Sequence, residues 1–268
     1  MDSSCKKFFG VHDADAKTHY EFCFSRHVPY SLFKESTINM MQEIHKAFST
    51  GVVSGKTVLD FCIAPTISHL LVMKDYIEDI IILEVNDSSM KEFEKWMNKD
   101  ADACDWSHIA EILKQIKGNS DDSEDEEENL RRKIKNISKL DFSKSDPVDS
   151  LSLTKADIVT SIWFLDCISK NHDEYRGWLR KLSYVMNVGG YLIVYAATKI
   201  SYFQVGEHKF HVFYCDEHFI KNVISEEGFV IKHYKKFNRI MCSDKMDHEA
   251  VVFIIACKVE EPKNREAA

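Results

Sequence analysis

Short uninterrupted apolar runs recur along the chain at Thr57–Cys62, Ile80–Val85, Ile158–Leu165 and Tyr191–Ala197. They are rich in β-branched residues and bounded by turn signals, which predicts strands buried on both faces. Two later runs, Phe229–Phe237 and Ala250–Lys258, also predict strands. Between them the apolar positions fall at helical spacing. Thr37–Phe48 carries Met40, Met41, Ile44, His45 and Phe48 in that rhythm. Ser89–Met97 opens on a capping-box pattern, Ser89-Met90-Lys91-Glu92. A further helix opens at Asn171 with Glu174 in its first turn. It carries Trp178, Leu179, Leu182, Val185 and Met186, and stops at Gly189-Gly190. Asp216–Glu227 ends at Gly228, a glycine in the C′ position. Strands alternating with helices predict an α/β fold with a mainly parallel sheet covered on both faces. The last two strands are separated by Asn238–Glu249, which lacks a strong helical pattern and suits an antiparallel hairpin at one edge.

The chain has 268 residues, 44% hydrophobic and 29% charged, an ordinary globular composition that excludes collagen-like and wholly disordered readings. It reads as a single domain without internal repeats. Residues 1–50 form an N-terminal helical cap or lid, and the first 15 or so are expected to be poorly ordered without a ligand. The formal charge is −8, but Asp121, Asp122, Glu124, Asp125, Glu126, Glu127 and Glu128 supply most of it. Residues 118–130 therefore read as an acidic surface loop on a nearly neutral domain. Ser120 and Ser123 sit beside these acids as candidate phosphate acceptors, with plain solvation the simpler reading. A nucleic-acid partner is disfavoured, because phosphate binding needs a basic face. The longest apolar run, Ile80–Leu83, is far too short to cross a bilayer, and no apolar stretch follows the first residues as a signal peptide requires. None of the eight cysteines forms a C-x-x-C pair, so buried free thiols in a reducing cytoplasm are expected. His208 and His211 lack a third partner, and no metal site is predicted.

Ligands of open parallel sheets bind beyond the carboxyl ends of the strands. Three acids fall there in sequence: Asp60 in the first strand, Glu84 ending the second and Asp141 after the third. Glu84 is placed to accept ribose hydroxyls, and Asp141 an adenine amino group. Each is also a plausible helix cap when taken singly; together they favour a nucleoside site. The first βα turn, Cys62-Ile63-Ala64, lacks the glycines that let a backbone approach a pyrophosphate, which disfavours a dinucleotide and leaves room for a smaller ligand without phosphates.

Several colinear segments resemble a known family. They include Ser49–Asp60, Ala64-Pro65-Thr66-Ile67-Ser68-His69-Leu70-Leu71, Glu94-Lys95-Trp96, Asp105-Trp106-Ser107 and Leu140-Asp141. They continue through Leu165-Asp166, Val188–Leu192, Ser201-Tyr202-Phe203 and Gly206–Phe210. These resemble the nicotinamide, indolethylamine/thioether and phenylethanolamine N-methyltransferases over about residues 13–260. The resemblance implies a Rossmann-like class I methyltransferase fold with a mainly parallel seven-stranded sheet. It also implies S-adenosylmethionine as donor, S-adenosylhomocysteine as product, and a cytoplasmic monomer. It assigns Glu84 to the ribose, Asp141 and Phe142 to the adenine, and Thr66 to the methionine carboxylate. Tyr20, Asp60 and Ser89 also match donor-site positions.

The chain departs from the family at telling places. The turn Gly-Ser-Gly becomes Cys62-Ile63-Ala64. Left-handed backbone costs a non-glycine residue roughly 1–2 kcal/mol, and the added side chains crowd the donor's amino-acid end. In the acceptor region Ala196 replaces an acid, beside Ala197, and Ile200, Phe203 and Val212 replace polar residues of the nicotinamide enzyme. A primary amide loses its partners there, which disfavours nicotinamide. Asp166 and Glu207 match acids that face the amine in phenylethanolamine-type enzymes, and Asp247 lies near a third. Their plain alternatives are a cap, an ion pair or a solvated loop acid. Two functions remain open: methyl transfer to a small, largely apolar amine or related nucleophile, or a degenerate member that has lost donor binding and serves as a binding or structural module.

Overall fold

The computed structural model describes residues 6–9, 12–27, 32–118, 125–144, 146–240 and 244–262. Helix α1 (Ala16–Cys23) is capped by Asp15, whose carboxylate accepts the Thr18 amide. Helix α2 (Leu32–Ser49) precedes the first strand, β1 (Thr57–Cys62). After it come α3 (Ser68–Met73), β2 (Asp79–Glu84), α4 (Asp87–Asn98), α5 (Ser107–Lys117), α6 (Glu126–Lys133) and β3 (Ile134–Lys139). The next unit is β4 (Ala156–Ile162), α7 (Leu165–Ile168), α8 (His172–Tyr184) and the long β5 (Met186–Thr198). A separate hairpin, β6 (Tyr202–Val205) and β7 (His208–His211), leads to α9 (Glu217–Glu226), β8 (Phe229–Asn238) and β9 (Ala250–Lys258).

Seven strands form one sheet in the order β3-β2-β1-β4-β5-β9-β8. The parallel pairs run from β3 to β5, and β9 is antiparallel to both β5 and β8. The expected Rossmann-like sheet with a C-terminal hairpin is what forms. The last strand inserts inside the sheet and β8 takes the edge. Alternation along β1 feeds two cores. Leu59 and Phe61 join the layer under α7, α8 and α9, while Val58 and Cys62 join the layer under α2, α3 and α5. Residues such as Ile80, Ile193 and Phe253 are fully buried. Each contributes roughly 1.5–3 kcal/mol through burial.

Four expectations about elements need correction. Ser89 does not cap a helix: Asn86 does, its side-chain oxygen accepting the Ser89 amide at 2.7 Å. The helix opened by Asn171 ends at Tyr184, and Gly189-Gly190 lie inside β5. A Cβ on Gly190 would come within 2.7 Å of the Asp157 carbonyl, so the glycine permits close approach of the β4 backbone. The fourth strand stops at Ile162, because Trp163 takes a left-handed φ of 57° and turns the chain toward α7. Of the first 15 residues, those described are held in place: Lys7 bridges to Phe210 and Phe9 is buried.

The acidic run is not all loop. Residues 119–124, including Ser120 and Ser123, lie outside the described residues, as do Cys5 and Cys242. Asp125 caps α6, and Glu126, Glu127 and Glu128 form its first turn, where the helix dipole favours negative charge. Glu126 is buried and pairs with the equally buried Lys74, and with Lys117 at 3.0 Å. Glu126→Ala would leave the Lys74 ammonium without this partner in a desolvated site. It is expected to lower stability by about 3 kcal/mol, the cost of breaking a buried pair. Urea denaturation checks this, and an unchanged midpoint would show that the pair contributes nothing.

Candidate functional site

Beyond the carboxyl ends of β1, β4 and β5 lies a chamber of about 40 Å³. Ile63 and Ala64 reach it from the first βα turn, Trp163 from the end of β4, and Ala197 from β5. Ile200, Phe203, Val212 and Met246 close the side formed by the β6–β7 hairpin and its flanks, and His19, Cys23 and Phe24 come from α1 and its end. A cavity needs roughly 10–15 Å³ per water, so the closed chamber admits two or three waters. His19 and Cys23 of α1, with Phe24 at its end, make one wall of the chamber.

The polar groups of the chamber are few. Asp166, in the first turn of α7, is 1% exposed. Its Oδ2 accepts the Ala197 amide at 3.2 Å, while Oδ1 has no partner. Burial pushes its carboxyl up to about 7. His19 is also buried, tilted against Phe203 at 5.3 Å between ring centres, and burial pulls its imidazole down to about 4, so the ring is neutral at pH 7. Trp163 holds its left-handed backbone here, a conformation that costs a bulky residue on the order of 1–3 kcal/mol. Its amide donates to the Tyr195 carbonyl at 2.9 Å, and its ring stands edge-on to Tyr195.

A nucleoside sulfonium donor would lie across the ends of β1, β2 and β3. The residue types there suit it. Glu84 is an acceptor at the end of β2, Asp141 and Phe142 follow β3, and the Asn86 Nδ2 and Ser89 Oγ are buried without partners. The space does not suit it. Glu84 is 0% exposed, and Cys62, Ile63, Ala64, Val85 and Leu140 are each at most 4% exposed. The Glu84 carboxyl accepts the Val85 amide at 2.7 Å, and the Cys62 thiol lies 3.6 Å from its Oε2. Burial pushes Glu84 up to about 8 and the Cys62 thiol up as well, so both hold protons. S-adenosylmethionine does not fit this conformation of the rim. The obstruction is volume and not strain, since positions 62–64 avoid left-handed backbone.

Other sequence-predicted residues scatter. Asp60 lies within β1, where its Oδ1 receives His69 Nε2 at 2.7 Å and the Thr160 hydroxyl. Tyr20 donates to the Asp105 carbonyl and packs edge-on to Trp106. The Thr66 hydroxyl pairs with Ser68 at 3.0 Å. Asp141 folds onto Ser143, which holds its carboxyl below the usual range, and Phe142 packs against Trp178.

Two predicted acids do not reach the chamber. Glu207 is exposed at the tip of the β6–β7 hairpin, where the turn carries it away from the enclosed side. Asp247 is spent on the start of β6, accepting the Ser201 amide and hydroxyl, each at 2.7 Å. Ala196 is buried in β5 but does not line the chamber, whereas Ala197, Ile200, Phe203 and Val212 do. Sequence reasoning missed His19, Cys23, Phe24, Cys167 and Met246. Only the place of His19 beside Tyr20 pointed toward a role. Among the described residues, no group of three His, Cys, Asp or Glu side chains is arranged to hold a metal ion, and no helix is long and apolar enough to cross a membrane.

Comparison with known proteins agrees with the fold. Nicotinamide N-methyltransferase of Homo sapiens is 28% identical over 224 residues, covering 84% of this chain and 85% of the relative. Indolethylamine N-methyltransferase of Mus musculus is 26% identical, covering 81% and 83%. Phenylethanolamine N-methyltransferase of Sus scrofa is 25% identical, covering 72% and 69%. Among solved structures, magnesium protoporphyrin IX methyltransferase from Synechocystis with bound S-adenosylmethionine aligns with a TM-score of 0.52 at 11% identity, covering 89% of this chain and 87% of that one. The cyclase SpnF aligns equally well, at 0.52 and 13% identity, covering 95% and 87%. The fold therefore does not dictate the reaction. The sequence profile of the NNMT/PNMT/TEMT family, however, matches residues 13–259, and the chain belongs to that family.

Proposed function

We propose that this member of the family, an S-adenosylmethionine-dependent N-methyltransferase by its homologues and fold, acts on a small, largely apolar amine or related nucleophile and not on nicotinamide. One observation carries the reading: a nearly all-apolar chamber keeps one carboxyl oxygen, Asp166 Oδ1, without a partner. An amine N–H meets that oxygen while its hydrocarbon part meets Ile200, Phe203 and Val212. A primary amide would bury donors and acceptors that these side chains do not answer, at about 1–3 kcal/mol for each unmet group. Asp166 near half-protonation suits holding an ammonium and taking up its proton, which leaves the nitrogen lone pair free. The neutral His19 ring adds a second polar surface without adding charge. The reading extends to a monomer, and to the cytoplasm, the latter supported by the buried free thiols Cys23, Cys62, Cys104, Cys167 and Cys215. The sealed Glu84 favours a second reading, a family member that keeps the chamber but no longer binds the donor.

A panel of aryl-alkyl amines, pyridines and thioethers, measured by calorimetry and by methyl transfer at saturating donor, tests the acceptor class. An apolar amine is expected to bind more tightly than nicotinamide, and Asp166→Asn to weaken it by roughly ten- to a hundredfold, the loss of one charge-assisted hydrogen bond. Nicotinamide binding as tightly as any amine would overturn the assignment.

Asp166 also sets a pH dependence of stability. The folded state holds its proton up to about pH 7, while the unfolded chain releases it near 3.8. Stability from this group is fully present below the lower value, falls as pH rises between the two, and is level above. Asp166→Asn should therefore be more stable than the parent at pH 8, by on the order of 1–4 kcal/mol, with the difference vanishing near pH 4. Urea midpoints from pH 4 to 8 measure it; a pH-independent difference would show that Asp166 does not titrate in this way.

A further inference from the structure

We infer that the first βα turn fills the donor's place with its own side chains, so that Cys62 stands in for the ribose hydroxyls as the partner of Glu84. This rests on the methyltransferase reading of the rim. The register makes the contact unavoidable. Cys62 and Glu84 are ladder partners at the ends of β1 and β2, so their side chains emerge on the same face of the sheet. A residue at 62 with any side chain beyond Cβ lies against the Glu84 carboxyl. Here the thiol sits 3.6 Å from Glu84 Oε2 and 3.3 Å from the Ala64 carbonyl, bridging the strand end to its own turn. Ile63 completes the closure. It shares an apolar cluster with Leu83, Val85, Leu140 and Phe164, and it also lines the chamber beside Asp166. It thus occupies the ground between the nucleoside rim and the acceptor, where a sulfonium would have to present its methyl group. A carboxyl with no exposed surface cannot meet a ribose until these side chains yield.

The test is calorimetry of S-adenosylhomocysteine with the full-length protein, the single variant Cys62→Ala and the triple variant Cys62→Gly, Ile63→Ser, Ala64→Gly. Circular dichroism verifies that each is folded, and the single variant keeps the test decisive should the triple one unfold. The parent is expected to bind at least about tenfold more weakly than the triple variant, with Cys62→Ala intermediate. Equal binding by parent and variants, or no binding by any folded variant, would overturn the inference. A variant that binds the nucleoside but transfers methyl to no amine would leave this inference standing and remove the proposed acceptor.

Discussion

A carboxyl group withdrawn from water must find hydrogen-bond donors, a cation or a proton. This fold withdraws three near the working ends of its central strands: Asp60, Glu84 and Asp166 are each at most 1% exposed. Each reaches a different settlement. Asp60 takes the His69 ring and the Thr160 hydroxyl, and so fastens β1 to α3 and β4. Glu84 takes a backbone amide and a thiol, both supplied locally, and closes on itself. Asp166 takes a single amide and keeps one oxygen unpartnered beside the chamber. The division of labour along the rim follows from these settlements: structure at the first acid, closure at the second, and capacity for a guest at the third.

Much of this architecture was legible because strands buried on both faces read as near-continuous apolar runs. β1, β2, β4, β5 and β9 announce themselves that way, within a few residues at their ends, whereas β8 is an edge strand in which only Phe229 is buried. The caps Asn171 and Asp216 were legible for a local reason, since each side chain accepts an amide three residues on. β3 was not bounded, because only Ile134 in it is buried and its remaining positions are polar or half exposed. The helix at the end of the acidic run was missed because the clustered charges read as loop, although the Asp125 cap and the acidic first turn are local signals; the pairing of Glu126 with Lys74 and Lys117 adds a long-range hold.

The site was legible in part, and mainly through family resemblance. Ala197, Ile200, Phe203, Val212 and Asp166 converge on one chamber although they are spread from α7 to the far side of the hairpin. Glu207 and Asp247 looked equally promising in one dimension. Two features invisible in the sequence separate them from Asp166. One is the tight turn that carries Glu207 outward, and the other is the pair of Ser201 groups that consume Asp247. His19 carried no pattern of its own, because α1 is short and its burial depends on packing against the β6–β7 hairpin. The turn at Cys62 was flagged both for backbone conformation and for crowding by its side chains; positions 62–64 avoid left-handed backbone, and their side chains are buried.

The position of β9 bears on how the protein is made. Among the described residues β8 pairs with β9 alone, and β9 is the last strand yet sits inside the sheet. A nascent chain that has not yet delivered residues 250–258 therefore exposes β5, from Tyr191 to Thr198, as an open apolar edge. Such an edge is a template for pairing with another chain. Removing β9 would therefore leave that side of β5 unpartnered along its length and turn a paired seam into an adhesive edge.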